Sequence, residues 1–240
     1  TKIPTRVPTR IPTRVPTRTF TPSPALQPCE YGVWYCENFN DDEAQFWYLE
    51  GYWQVQNGVL DGSEHYFATL TEHSWDDYRV AFDLKINAGA IHLNYRLSPG
   101  QNGLNRYFIG IDQNGISLNR QNNDSFTDLT YANFYYPPNE WHHIEITGWG
   151  GHLRIYVDGQ MQIEYVDYDY IGSGTISFET LDYSYAEIDN IEVTGSGDEP
   201  AIEPVYATDN PAPAEQPPVF IIPYVPLPVS CTSTYMTWEE

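Results

Sequence analysis

The sequence predicts an all-β fold: an antiparallel two-sheet sandwich of the jelly-roll type, held between extended proline-rich N- and C-terminal arms. Three observations lead there. Proline is concentrated in residues 1–28 and 198–240, while the stretch between them is rich in aromatic and β-branched residues. Short runs with strand-like alternation follow one another between turn-forming dipeptides. No window of about 12 residues shows helical periodicity. At about 155 residues, the middle segment should bury roughly 70% of its unfolded surface, so it alone can hold a large core. The 240 residues divide into a repeat arm (1–28), a cysteine-bounded turn (29–37), the jelly roll (38–195), an acidic proline-rich linker (196–216) and an apolar C-terminal arm (217–240).

Residues 3–18 are four copies of Ile/Val-Pro-Thr-Arg. Proline at every fourth position excludes a helix and pushes each preceding residue to extended geometry. With period-2 alternation, Ile3, Thr5, Val7, Thr9, Ile11, Thr13, Val15 and Thr17 share one face, and the prolines share the other with Arg6, Arg10, Arg14 and Arg18. All the prolines then fall on one edge, so the arm can pair on the other edge only. That suits β-strand addition to a partner's open edge. Residues 1–24 extend about 75 Å (~3.2 Å per residue), past a domain about 40 Å across. The alternative reading is a flexible surface linker. Thr5, Thr9, Thr13 and Thr17 are also candidate O-glycan acceptors, a use that competes with burial in a sheet. Asn123-Asp124-Ser125 is the N-glycosylation sequon.

Charge is segregated in the same way. The chain carries a formal −22, yet residues 1–18 hold five of the eleven basic residues and no Asp or Glu. The remaining 222 residues therefore hold six basic groups against 33 acidic ones, a formal −27 (6 − 33). An acidic body disfavours nucleic acid, and a basic arm on an acidic body suits charge-driven docking. No stretch approaches ~18 apolar residues, so no membrane span is expected. No signal peptide is visible, and the chain begins inside a repeat, which predicts that something upstream is removed or lies outside it.

Cys29 and Cys36 border a turn-like segment and suit a disulfide in an oxidising compartment. Cys231 is left over. It could pair with Cys29 or Cys36 instead, or bridge to another chain.

Within the middle segment the expected strands are Tyr52–Gln56, Tyr66–Leu70, Tyr78–Ile86, Ala90–Tyr95, Arg106–Ile111, Gly115–Asn119, Trp141–Thr147, His152–Val157, Gly174–Thr180 and Glu187–Val193. Turn signals separate them: Asn57-Gly58, Asp61-Gly62, Asn114-Gly115, Asp158-Gly159 and Gly172-Ser173-Gly174. Gly115 and Gly159 stand where type I′ hairpins need glycine.

Six motifs occur in order: Trp53…Asn57-Gly58-Val59-Leu60-Asp61-Gly62; Trp75-Asp76-Asp77-Tyr78-Arg79-Val80…Phe82-Asp83-Leu84-Lys85-Ile86; Arg106-Tyr107-Phe108-Ile109-Gly110-Ile111; Glu140-Trp141-His142-His143-Ile144-Glu145-Ile146; Ile155-Tyr156-Val157-Asp158-Gly159; and Asp189-Asn190-Ile191-Glu192-Val193. Together they make residues 38–195 resemble the concanavalin A-like lectin/glucanase superfamily, and more narrowly the laminin G-like and keto-disaccharide-hydrolase-like jelly rolls. The resemblance implies a β-sandwich with a concave face that often binds glycans. It does not imply catalysis.

Glu187, Asp189 and Glu192 fit the Glu-x-Asp-x-x-Glu pattern of that superfamily's retaining glucanases, whose chemistry needs two carboxylates about 5.5 Å apart. Glu192 shares their face only through a bulge, however, and the motif lies on the last strand before a linker. No catalytic residue is therefore assigned, and the chain is read as a non-enzyme. His65, His73, His92, His142, His143 and His152 show no metal-ligand spacing and read as ordinary strand histidines. The turns Asn122-Asn123-Asp124 and Asp167–Asp169 offer oxygen ligands for Ca²⁺, although solvated acidic loops explain them as well. No other cofactor is implied.

Twenty tyrosines and seven tryptophans exceed the needs of one core. They suit sugar stacking or a protein interface. Tyr131, Phe134, Tyr135, Tyr136, Tyr165, Tyr168 and Tyr170 are the expected exposed rings, with Tyr135, Tyr136, Tyr168 and Tyr170 foremost for glycan stacking. In the C-terminal arm, Phe220, Ile221 and Ile222 form an apolar segment that needs a docking partner.

These features give two readings. The first is a subunit of an extracellular fibre or surface layer, a glycosylated homopolymer linked head to tail by Ile3, Val7, Ile11 and Val15, the arm arginines, and Phe220–Ile222. The second is a noncatalytic carbohydrate-binding module on a cell-surface stalk.

Overall fold

The computed structural model of the protein describes residues 29–197. The assembly-arm residues, Cys231 and the four repeat threonines lie outside them. The strands are β1 Val33–Glu37, β2 Trp47–Leu49, β3 Gln54–Gln56, β4 Val59–Ser63, β5 Phe67–Leu70, β6 Tyr78–Ala88, β7 Ile91–Pro99, β8 Leu104–Ile111, β9 Gly115–Asn123, β10 Ser125–Asn133, β11 Trp141–Trp149, β12 His152–Val157, β13 Gln160–Val166, β14 Thr175–Thr180 and β15 Tyr185–Gly195. Among the described residues no helix occurs, and so none is long and apolar enough to cross a membrane.

All pairings are antiparallel. One sheet runs β13-β12-β11-β6-β15-β4-β3, with β1 added beside β15; the other runs β10-β9-β8-β7-β14-β5-β2. The protein is an all-β jelly-roll sandwich. Alternation places Val80, Phe82, Leu84 and Ile86 of β6 and Leu153, Ile155 and Val157 of β12 opposite Ile91, Leu93 and Tyr95 of β7 and Tyr107, Ile109 and Ile111 of β8, all buried. Each such apolar side chain contributes about 1.5–3 kcal/mol on burial.

One of the two expected type I′ turns has that geometry: Asp158 (φ 50°) with Gly159 (φ 74°) has the double left-handed conformation. Asn57 (φ 55°) with Gly58 (φ 74°), expected only as a turn, has it too. Asn114-Gly115 does not. There Asp112 Oδ1 accepts from the N–H groups of Asn114 (2.7 Å) and Gly115 (3.0 Å), and Gly115 is needed because a Cβ would overlap Tyr131 and the Ala132 carbonyl. Asp61-Gly62 is not a turn either but the interior of β4. Its glycine admits the ring of Trp53, which fills the space a Cβ would take.

Residues 29–37, expected as a turn, supply a strand. β1 pairs with β15, with Cys36 opposite Glu192, and the Cys29–Cys36 disulfide ties the chain just before β1 to it. At one end of the sandwich, Arg96 is fully buried at a bulge with φ 53°. It donates to the carbonyls of Asp76, Gly150 and Ile171 and to Asp77 Oδ1. Three loops are thereby tied to one guanidinium.

Candidate functional site

The two outer faces of the sandwich differ in kind. On the eight-stranded sheet, charges neutralise one another in ladders. Arg79 meets Glu145 (2.7 Å) and Glu192 (3.2 Å), His143 meets Asp83 (2.8 Å), and Arg154 and His152 share Glu164. The glucanase-like carboxylates lie here. Glu187 is engaged by Lys85 and Asn87 and accepts from Tyr185. Burial pushes its carboxyl up, but these partners outweigh it and hold the pKa below its ordinary value. Asp189 is pushed up by burial and by the charge of Asp83. A bulge separates Asp189 from Glu192 in the pairing with β6, as the residue count requires.

The seven-stranded sheet is built differently. Register brings its outward side chains into rows that cross the strands. Phe67, Glu179, His92, Gly110, Ser117 and Tyr131 form one row, and Tyr48, Thr69, Ser177, Asn94, Phe108, Asn119 and Asp128 form the next. Arg106, Gln121 and Phe126 continue the face. Six inter-strand spacings of about 4.8 Å make it about 30 Å wide.

Arg106 is the centre of this face. Its Nη1 donates to Glu179 Oε2 and to Asn94 Oδ1, both at 2.7 Å, and its Nε donates to Gln121 Oε1 at 2.8 Å. The rings of Phe67 and Phe108 lie 5.7 and 5.2 Å from the guanidinium carbon, so the cation is enclosed by rings as well as paired. Glu179 also accepts from His65 Nε2 and His92 Nδ1, both at 3.1 Å. Burial pushes the Glu179 carboxyl up, yet the bonds from His65 and His92 and the charge of Arg106 hold its pKa far below the usual carboxylate range. The result is a fixed, charge-paired polar floor. Asn94 is fully buried, and its Nδ2 has no hydrogen-bond partner among the described residues.

Exposed rings flank the floor. Tyr48 lies at the β2 edge; Phe126 and Tyr131 lie at the β10 edge. Beside the floor is an open recess of about 500 Å³ lined by Tyr52, Ser63, Glu64, His65, Tyr66 and Asp182. Glu64 (φ 60°) and Tyr183 (φ 62°) in its bounding loops are left-handed non-glycine residues, a backbone strain that concentrates at functional sites.

The expected stacking residues are not gathered in one place. Tyr135 (70% exposed), Tyr168 (94%) and Tyr170 (52%) are open to solvent. Tyr136 is a correction: it is fully buried, donates to the Leu84 carbonyl (2.7 Å) and packs on His142. Phe134 and Tyr165 are also packed against the core, and Tyr131 is exposed on strand β10. Asp167, considered as a Ca²⁺ ligand, is buried and held by Arg120 (2.8 Å) and Tyr107 (2.8 Å). Asn123 ends β9 with φ 55°; its Oδ1 accepts from Asn102 N, and its Nδ2 donates to Asn122 Oδ1. His65 and His92, read from the sequence as ordinary, instead converge with Arg106 on Glu179. The signal that joins them is register: they lie 114 and 87 residues from Glu179 along the chain.

Residues 36–194 match the sequence profile of the 3-keto-alpha-glucoside-1,2-lyase-like domain. The chain belongs to that family. Among solved structures, this lyase-like domain is similar to the carbohydrate-binding module CBM66 from Bacillus subtilis (18% identity, TM-score 0.55, covering 62% of this chain and 96% of that one). It is also similar to a Bacillus subtilis protein with a galectin-like fold (12% identity, TM-score 0.58, 68% and 96% covered), and to a beta-glucanase from Bacillus licheniformis (14% identity, TM-score 0.53, 69% and 99% covered). At these identities the likeness establishes the concanavalin A-like jelly roll. No curated protein matches the chain significantly.

Proposed function

We propose that the protein binds carbohydrate, outside the cell and without catalysis, through the outer face of its seven-stranded sheet. The observation that carries this reading is the Arg106–Glu179 floor. Buried polar groups, paired with one another except for Asn94 Nδ2, sit at the centre of an open face, and Tyr48, Phe126 and Tyr131 stand uncovered at its two edges. A sugar presents hydroxyls to such a floor and apolar ring faces to such rims. Preorganised donors lower the ordering cost of binding. The fold shared with a carbohydrate-binding module and a glucanase supports the same reading.

The test is a glycan array probed with the full chain and with Tyr48→Ala and Phe126→Ala variants, whose side chains are exposed. Each variant should weaken binding about tenfold, equivalent to roughly 1.4 kcal/mol, with unchanged melting temperature. Unchanged binding by both variants, or cleavage of the bound glycan, contradicts the reading.

A second reading is head-to-tail assembly into an extracellular fibre of glycosylated copies. It is favoured by one sequence feature, the one-edged Ile/Val-Pro-Thr-Arg arm on a body of formal −27 (6 − 33). Deleting residues 1–24 should then abolish any concentration-dependent increase in particle size. A wild-type chain that stays monomeric at high concentration contradicts assembly.

A further inference from the structure

We propose that the recess beside the polar floor is gated by pH through His65, which ties the Asp182–Tyr183 loop tip to Glu179 only while its ring is protonated. The inference rests on the carbohydrate-binding reading of that face. His65 lies in the loop between β4 and β5 and lines the recess. Its Nε2 is 3.1 Å from Glu179 Oε1 on β14, and its Nδ1 is 3.6 Å from Asp182 Oδ1 in the loop after β14. One ring therefore faces two carboxylates on opposite sides.

Protonation decides what the second nitrogen can do. The Glu179 carboxylate is the fixed acceptor, so Nε2 keeps a proton in either state. In the imidazolium, Nδ1 also carries a proton and attracts Asp182. In the neutral ring, Nδ1 is a lone pair turned toward a carboxylate, and the attraction becomes repulsion. The loop is pinned at its ends, where Leu181 N donates to Ala90 O, Ala90 N donates to Ser184 Oγ, and Glu64 N donates to Ser184 O. Only the tip, Asp182 and the exposed, left-handed Tyr183, is left to respond.

The charged groups facing His65 are Glu179 from β14, Asp182 from the following loop, Glu64 from its own loop and, behind Glu179, Arg106 from β8 and His92 from β7. The hydrogen bond that His65 donates to Glu179 raises the His65 pKa. Burial opposes it, the charges of Glu179 and Asp182 add to it, and Arg106 subtracts. With the folded value above the unfolded one, the tie is fully present below the unfolded value of about 6.5 and is lost as pH rises through the folded value. The recess is complete at acidic pH and loosened at alkaline pH.

The test uses the full chain and two readouts. The first is NMR from pH 5.5 to 8.5, following the His65 ring and the Asp182 and Tyr183 amides. The expected result is one shared inflection, absent in His65→Gln and retained in His92→Gln. Tip amides that do not follow the His65 titration, or that still titrate in His65→Gln, overturn the gate. The second readout is calorimetry with a linear β-glucan hexasaccharide. Its affinity should fall about fivefold across that range, the size of one partly exposed ion pair, and should stay flat in His65→Gln. A pH-independent wild-type affinity overturns the coupling while leaving the binding reading intact. A hexasaccharide that binds at no pH counts against the binding reading for that ligand, and the NMR titration then decides the gate alone.

Discussion

Replacing Glu179 with Ala removes the shared acceptor of Arg106, His65 and His92 in one step. Arg106, 8% exposed, would keep only Asn94 and Gln121 as partners, with its charge uncompensated. Breaking a buried ion pair from one side costs about 3–5 kcal/mol. For a domain of this size each kcal/mol shifts Tm by about 2–4 °C, so the variant should melt about 10 °C lower. Glu179→Gln keeps the side chain's volume and one acceptor and should lose about 1–2 kcal/mol. The pH dependence gives an independent check. The Glu179 pKa is depressed in the folded state, so its stabilisation is present above the unfolded value of about 4.3 and is lost as pH falls through the folded value. Urea unfolding at pH 7 and at steps below pH 4.3 should show the gap between wild type and Glu179→Gln narrowing on the acid side. An Ala variant within about 0.5 kcal/mol of wild type, or a gap that does not change with pH, would refute the account of the floor.

Other consequences are equally open to measurement. Arg96→Met strands three loop carbonyls and leaves Asp77 with the Gly150 N–H but no counter-charge and should cost at least about 3 kcal/mol, read as a lower urea midpoint with an unchanged m-value. Replacing Cys29 and Cys36 together by Ser opens a loop of seven-residue separation and should cost about 2.5 kcal/mol on the chain-entropy relation; reduced wild type should then match the variant in thermal unfolding. Gly62→Ala drives a methyl into the Trp53 ring and should cost about 1–3 kcal/mol as overpacking, visible as a Tm drop with altered tryptophan fluorescence.

Much of the sandwich was legible because its central strands obey two simple rules. Arg79–Ile86 and His152–Val157 alternate cleanly, and Asn57-Gly58 and Asp158-Gly159 adopt the only common turn that their sequence favours. The strands that were not anticipated lack those signals. β10 reads Ser-Phe-Thr-Asp-Leu-Thr-Tyr-Ala-Asn and is an edge strand with most side chains exposed, so no core imposed alternation on it. β13 is the edge of the other sheet. β4 was concealed by Asp61-Gly62, whose glycine serves a neighbouring tryptophan rather than a turn. The candidate site was nearly invisible for a different reason. His65, His92, Arg106 and Glu179 come from separate strands and a loop, and no local pattern ties them together. Tyr136 shows the converse: an aromatic beside exposed neighbours reads as surface until the packing turns it inward.

The most direct test of the central claim is amide shift mapping of the full chain, titrated with whichever glycan the array identifies. The account predicts shifts confined to the outer face of the seven-stranded sheet, at Phe67, His92, Arg106, Phe108, Phe126 and Glu179. Shifts centred on Asp83, Lys85 and Glu187 instead, or none within residues 29–197, would contradict it.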